Sequence, residues 1–223
     1  WQPVLEVSLA YHQVVSGEPR YTQTAADGII SSIPAGSIYF GGTDPGRGLP
    51  TAFCKSHVDA DPFFILTQNA LADGSYLIYL RSMYGKQIAL PTPGDAGICF
   101  SNYLQDAKLR LRHDTEFPKE PKQIKPGENV KIVTEGNQER VQVSGQVSVM
   151  SLNGLMAKVV FDRNPNKDLF VEESFPFDWM YPHLSPHDLI LKINRQPLLE
   201  LIDEMVRRDH EYWTKLVKPM IGD

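Results

Sequence analysis

SIYFGGTDPGRGLP, residues 37–50, is the stretch on which the reading of the whole chain turns. Ser37 to Phe40 form a short, mostly apolar run that reads as a strand. Gly41-Gly42 ends it, a turn rich in glycine and proline follows, and from Leu49 the pattern becomes helical, with Pro50 suited to a first turn. Strand, glycine-rich turn and helix is the order in which open α/β sheets cradle anions. There the backbone N–H groups approach the ligand closely and the helix N-terminus favours negative charge. Gly41, Gly42 and Thr43 would supply those donors. Arg47 could grip a phosphate or carboxylate with two more, and Asp44 could hold a sugar hydroxyl. The stretch does not match the dinucleotide pattern GxGxxG. It also departs from the P-loop, because Arg47-Gly48 stands where Lys-Ser/Thr would be required. The purely structural alternative is an Asx-turn in which Asp44 pairs with Arg47.

Working outward, Val4, Leu5, Leu9 and Val15 lie near helical spacing until Gly17-Glu18-Pro19, and a second helix runs from Thr22 or Thr24 through Ile33. After the central stretch, Phe63 to Leu66 is a continuous apolar strand, as expected of a parallel strand covered on both faces. Residues 73–83 and 100–112 read as helices, with a third strand at Gln87–Leu90 between them. Residues 114–127, almost free of apolar side chains, read as a polar linker or surface loop, and 128–145 as a β-hairpin turning near Gly136. A helix over 147–161, strands at 169–173 and 189–193, and a last helix over 197–220 complete the chain. The alternation predicts a single α/β domain over residues 1–223. Its expected core is a Rossmann-like open, mostly parallel sheet with helices on both faces and a β-hairpin insertion.

The 223 residues carry 22 Lys+Arg against 27 Asp+Glu, a formal charge of −5. That balance argues against nucleic acid as a main partner, since phosphate recognition needs a basic surface. No apolar run is long enough to insert into a membrane. Two cysteines, Cys54 and Cys99, exclude a disulfide scaffold and leave either a core role or one bridge. The chain opens at Trp1 and stops at Asp223 as a trimmed piece would.

Two further segments carry chemistry-bearing residues. HVDADP (residues 57–62) places His57, Asp59 and Asp61 close together, as hard-metal ligands, an acid/base cluster or a solvated turn. It lacks the calcium-loop pattern, and no metal or other cofactor is expected. EESFPFDWMYPHLSPHDL (residues 172–189) is dense in aromatic side chains. Glu172 and Glu173 end a strand, so one should enter the crevice and the other point away. Trp179, Tyr181 and His183 could form a wall for stacking sugar faces, or plug the core. No GxSxG elbow, HExxH or CxxC is present.

GSIYFGGTDP (residues 36–45), DPFFILTQNALADGSYLIYLR (61–81) and DLFVEESFPFDWMYPHLSPHDLILKINR (168–195) together resemble one region of a known family. It is the extracytoplasmic C-terminal region of uncharacterised bacterial polytopic membrane proteins related to protein O-mannosyltransferases. There a strand ends in a Gly–Asp–Asn–Asp turn, a second strand and a helix ending in Leu-Arg follow, and a later strand opens onto an aromatic loop. Asp44 matches the first acidic position of that turn and Leu80-Arg81 the helix end. Gly46 falls where a second Asp belongs, and Arg47 is an addition. The resemblance implies an extracytoplasmic, periplasmic domain accessory to a membrane glycosyltransferase-like system. It would bind a glycan or a small anionic or polar ligand at the turn around Asp44–Arg47 and the Trp179–His183 loop. One alternative is a hydrolase or transferase using Asp44 and Arg47 with His57 or Glu173 as acid/base. Another is an assembly domain that forms a homodimer through its C-terminal helix.

Overall fold

Ile38–Gly41 forms β1, and the computed structural model, which describes residues 2–54, 63–135 and 138–221, places it inside a five-stranded sheet of order β2-β1-β5-β7-β6. β2 (Phe64–Thr67) and β5 (Leu169–Glu172) flank β1, and both run parallel to it, with Ile38 opposite Phe64 on one side and Leu169 on the other. β7 (Ile190–Ile193) then pairs antiparallel with β5, and β6 (Leu184–His187) antiparallel with β7 at the edge. The sheet is therefore mixed, where a mostly parallel one was expected. The strand that runs against the other four is β7, and it is turned back from β6, which lies inside the aromatic, proline-rich segment. Only Asp188 and Leu189 separate β6 from β7, and a link that short can join antiparallel strands alone. Asp188 takes φ 59 to make that turn, and Pro186 is tolerated because β6 is an edge strand.

Strand alternation sorts the core into two layers. Ile38, Phe40, Phe64, Leu66, Leu169 and Val171 face one side. They bury there against Leu77 and Leu80 of α4 (Gly74–Tyr84), Cys99 of α5 (Pro93–Glu116) and Met156 and Val160 of α6 (Gln146–Arg163). Tyr39 and Phe170 face the other side with Ile190, against Ile29, Ile30 and Ile33 at the end of α2 (Pro19–Ser32). Both layers contain large fully buried side chains, so truncating Leu66 or Phe40 would cost about 2–5 kcal/mol. α3 (Asp44–Phe53) lies on the α2 side, where the Tyr39 hydroxyl donates to its Gly46 carbonyl at 2.8 Å. α1 (Gln2–Ser16) packs on α3, and α7 (Asp203–Ile221) reaches β6. Cys54 and Cys99 pack on opposite faces of the sheet and are not bridged.

Several elements differ from the sequence reading for identifiable reasons. Gln87–Leu90 is not a strand, because the Asn164 side chain takes up its backbone: Ala89 N–H donates to Asn164 Oδ1 at 2.8 Å, and Asn164 Nδ2 donates to the Ala89 carbonyl at 2.8 Å. α5 begins seven residues before the expected start, at a capping box in which the Thr92 and Asp95 side chains satisfy each other's backbone N–H groups. The polar segment after it is tied back onto the helix: Gln123 and Ile124 N–H donate to the buried Asp114 carboxylate at 2.7 and 3.0 Å. β3 (Asn129–Glu135) and β4 (Gln138–Ser144) form the separate hairpin that alternation predicts. α6 ends where Arg195 donates to the carbonyls of Phe161, Asn164 and Lys167, satisfying the groups that a helix C-terminus leaves open. Among the described residues, no helix is long and apolar enough to cross a membrane.

Candidate functional site

The carboxyl ends of β2, β1 and β5 share one edge, and the strand order reverses there. From β1 the chain goes through α3 to β2 on one side, and later, through α6, to β5 on the other. Open α/β sheets hold ligands in the crevice outside such a switch point, because the two diverging connections leave space between them. Three segments line it: Gly42-Thr43-Asp44 after β1, Gln68-Asn69 after β2, and Glu173-Ser174-Phe175 after β5.

α3 starts at Asp44, directly after the strand, so the glycine-rich stretch is the opening of a helix. Thr43 is its N-cap, accepting the Gly46 N–H on Oγ1 at 3.1 Å, and Pro45 sits in the first turn, where a missing N–H costs nothing. The anticipated anion cradle is present, and the protein's own carboxylate fills it. Gly42 N–H and Thr43 N–H each donate to Glu172 Oε2 at 2.7 Å. The Thr43 hydroxyl donates to Glu172 Oε1, and the Ser174 hydroxyl donates to the same oxygen at 3.3 Å. Glu172 is buried by this arrangement, 8% exposed. Two glycines make the close approach possible. A Cβ on Gly46 would overlap the Glu172 carboxyl group, and one on Gly42 would collide with the Gln68 amide and the Phe175 side chain.

Arg47, on the first turn of α3, points into a second, linked network. Its Nη2 donates to Asp44 Oδ1 at 2.8 Å and its Nη1 to Asn69 Oδ1 at 3.1 Å, while Glu6 of α1 lies 3.9 Å away. The Thr67 hydroxyl donates to the same Glu6 at 2.8 Å, and Asn69 Nδ2 donates to the Gly42 carbonyl at 3.2 Å. The Arg47 side chain is 9% exposed and that of Asp44 is 55% exposed, so the pair presents its acidic end to solvent. Arg47 Nε and Gln68 Oε1 are buried without a hydrogen-bond partner. Burial, aided by the nearby Glu172 charge, drives the pKa of Tyr39 beneath this network well above the usual phenol range.

The other expected residues are distributed unevenly. Gly41, Gly42, Thr43, Asp44 and Arg47 meet as one constellation. Glu173 is exposed, because alternation along β5 sends Glu172 inward instead. His57, with Asp59 and Asp61, lies outside the described residues. Trp179 and His183 pack on α6: the Trp179 indole N–H donates to the Gly154 carbonyl at 2.9 Å, and both rings contact Phe161. The Asn194 carbonyl lies 2.8 Å from His183 Nδ1, and Tyr181 is exposed. Phe175 links this wall to the crevice, since its carbonyl accepts from Gln68 Nε2. Among the described residues, no group of three His, Cys, Asp or Glu could hold a metal ion.

Glu6, Thr67, Gln68 and Asn69 belong to the constellation without having been singled out in the sequence, and Glu172 joins them as the inward one of the two strand-end carboxylates. For Thr67, Gln68 and Asn69 a signal was available: they stand at the carboxyl end of β2, where switch-point ligands bind. Glu6 carries no such mark, being one polar position on an otherwise unremarkable helix. Comparison with protein-family models, with curated proteins and with solved structures finds no match for this chain.

Proposed function

We propose that this chain is a binding module for an uncharged, hydroxyl-rich ligand, a glycan, held at the switch-point crevice and acting beside a membrane glycosyltransferase-like system outside the cytoplasm. In this reading the parallel half, β2-β1-β5, is used in the Rossmann-like manner, with the ligand at the strand ends. The supporting observation is the charge arrangement around Arg47. Three carboxylates, Glu6, Asp44 and Glu172, accompany one guanidinium, and the helix N-terminus that would attract a phosphate already holds Glu172. A further anion would meet net negative charge, whereas a sugar hydroxyl can donate to Asp44 and accept from Arg47 or Asn69.

The same geometry removes Glu172 as a proton acceptor, which favours binding over catalysis at the cradle itself. A carboxylate offers about four acceptor directions, and Glu172 already receives the Gly42 and Thr43 N–H groups and the Thr43 and Ser174 hydroxyls. It has no acceptor left with which to take a substrate proton. The test is titration calorimetry against paired neutral disaccharides and their phosphorylated forms, with wild type beside Asp44→Asn. Neutral sugars should bind and their phosphates should not. Asp44→Asn should weaken binding at least tenfold at unchanged thermal midpoint. Binding unaffected by that substitution, tighter binding of the phosphorylated forms, or turnover of any sugar would overturn the reading.

A second reading, assembly, is favoured by α1. Val4, Val7, Tyr11 and Val14 stand at alternating three- and four-residue steps and are all exposed. That is the spacing of a helix–helix seam.

A further inference from the structure

A cleft of about 810 Å³ opens on the side of the molecule away from α3, between α5, the first half of α6 and the aromatic loop after β5. We propose that it is a second binding site, for a small, uncharged molecule with an apolar body. The size lies in the range of small-molecule sites, which are typically apolar with a few polar groups at the edge. Its wall is built from Val147, Met150 and Leu155 of α6 and from Phe175, Phe177 and Trp179 of the loop. Trp179 turns its only polar atom away, onto the Gly154 carbonyl, so its ring adds apolar surface.

The charge at the rim decides the ligand class. Two cations, Arg110 and Lys125, border the cleft, and each is already neutralised by the protein. Arg110 donates through both terminal nitrogens to Glu128, at 2.5 and 2.7 Å, and through Nε to Asp106 at 2.7 Å. Lys125, from the segment after α5, pairs with Asp178 of the aromatic loop. The Tyr103 hydroxyl is spent on Glu128 as well. An anionic ligand would have to displace one of these carboxylates, and a cation one of the bases. An uncharged molecule displaces only water from apolar wall, the favourable exchange. Phe175 belongs both to this cleft and to the crevice through its bond from Gln68, yet the cleft stands on its own observations, and its test involves no sugar.

The experiment is fluorescence titration with the neutral probe N-phenyl-1-naphthylamine on wild type, Ser151→Trp and Met150→Gln, with sedimentation of each protein alone. Ser151 lines the cleft from α6, so an indole there fills it, and the milder Met150→Gln keeps the test usable if that variant does not fold. Wild type should bind one probe per chain with micromolar affinity, and both substitutions should weaken binding at least tenfold while an exposed control, Leu199→Gln, leaves it unchanged. Absence of probe binding, binding indifferent to both cleft substitutions, or a dimer that Ser151→Trp abolishes would overturn the proposal. The last outcome would make the cleft an interface between copies.

Discussion

Gly46 has no room for a side chain, although it lies in the first turns of a helix where alanine would ordinarily be preferred. The propensity gain from Gly46→Ala is about 1 kcal/mol. Against it stand the strain of overpacking, about 1–3 kcal/mol, and the loss of hydrogen bonds to a charged group, about 1.5–3 kcal/mol. The overlap with Glu172 makes the second set larger, so Gly46→Ala should destabilise by about 2 kcal/mol or more in chemical denaturation. Glu172→Gln keeps the shape but presents an amide donor to a cradle made of donors, and should cost a similar amount. The double substitution tests whether both act through one contact. A double loss well below the sum confirms it, and strict additivity would show that the glycine is needed for something else.

At the scale of elements, one buried carboxylate joins α5 to the base of the β3–β4 hairpin. Glu128, buried just before β3, receives two bonds from Arg110 and one each from the Tyr103 hydroxyl and the Lys125 N–H. Hydrogen bonding from Arg110, ahead of that from Tyr103, holds its pKa down at about 2, against burial. A depressed folded-state pKa means that the unfolded chain binds the proton more readily. The stabilisation is thus complete above the unfolded value of about 4.5 and is lost as pH falls toward 2. Glu128→Gln should therefore flatten the stability curve over that interval by on the order of 2 kcal/mol relative to wild type. Equal acid sensitivity in both proteins would show that other carboxylates control it. Elsewhere, side chains replace ladders: Asn164 pairs with Ala89, and Asn153 accepts the Ala72 N–H while donating to the Asn69 carbonyl, fixing the segment that leaves β2.

At the scale of the whole molecule, the sheet is covered on both faces, and the exposed apolar rows lie on helices at the periphery. If the row on α1 is a seam between copies, sedimentation should show a concentration-dependent dimer that Tyr11→Glu abolishes. Val206→Glu, on the exposed side of α7, should leave it intact. The reverse pattern would move the interface to the C-terminal helix, and a monomer at every concentration would remove the assembly reading. None of these substitutions touches a residue of the crevice, which lies at the strand ends.

Residues 37–50 by themselves determined a strand, a close turn and a helix, because apolar run length, glycine, proline and capping chemistry act over a few positions. The same local rules made the hairpin and the α/β alternation legible. What fills the cradle after β1 was not legible. Glu172 stands 129 positions from Thr43, and a hydrogen bond between them depends on β5 lying beside β1 in register. The arrival of Glu6 from α1, the inward turn of Glu172 rather than Glu173, and the antiparallel half of the sheet have the same origin. Each depends on which distant segments share an edge, and packing of the complete chain decides that, where propensity cannot.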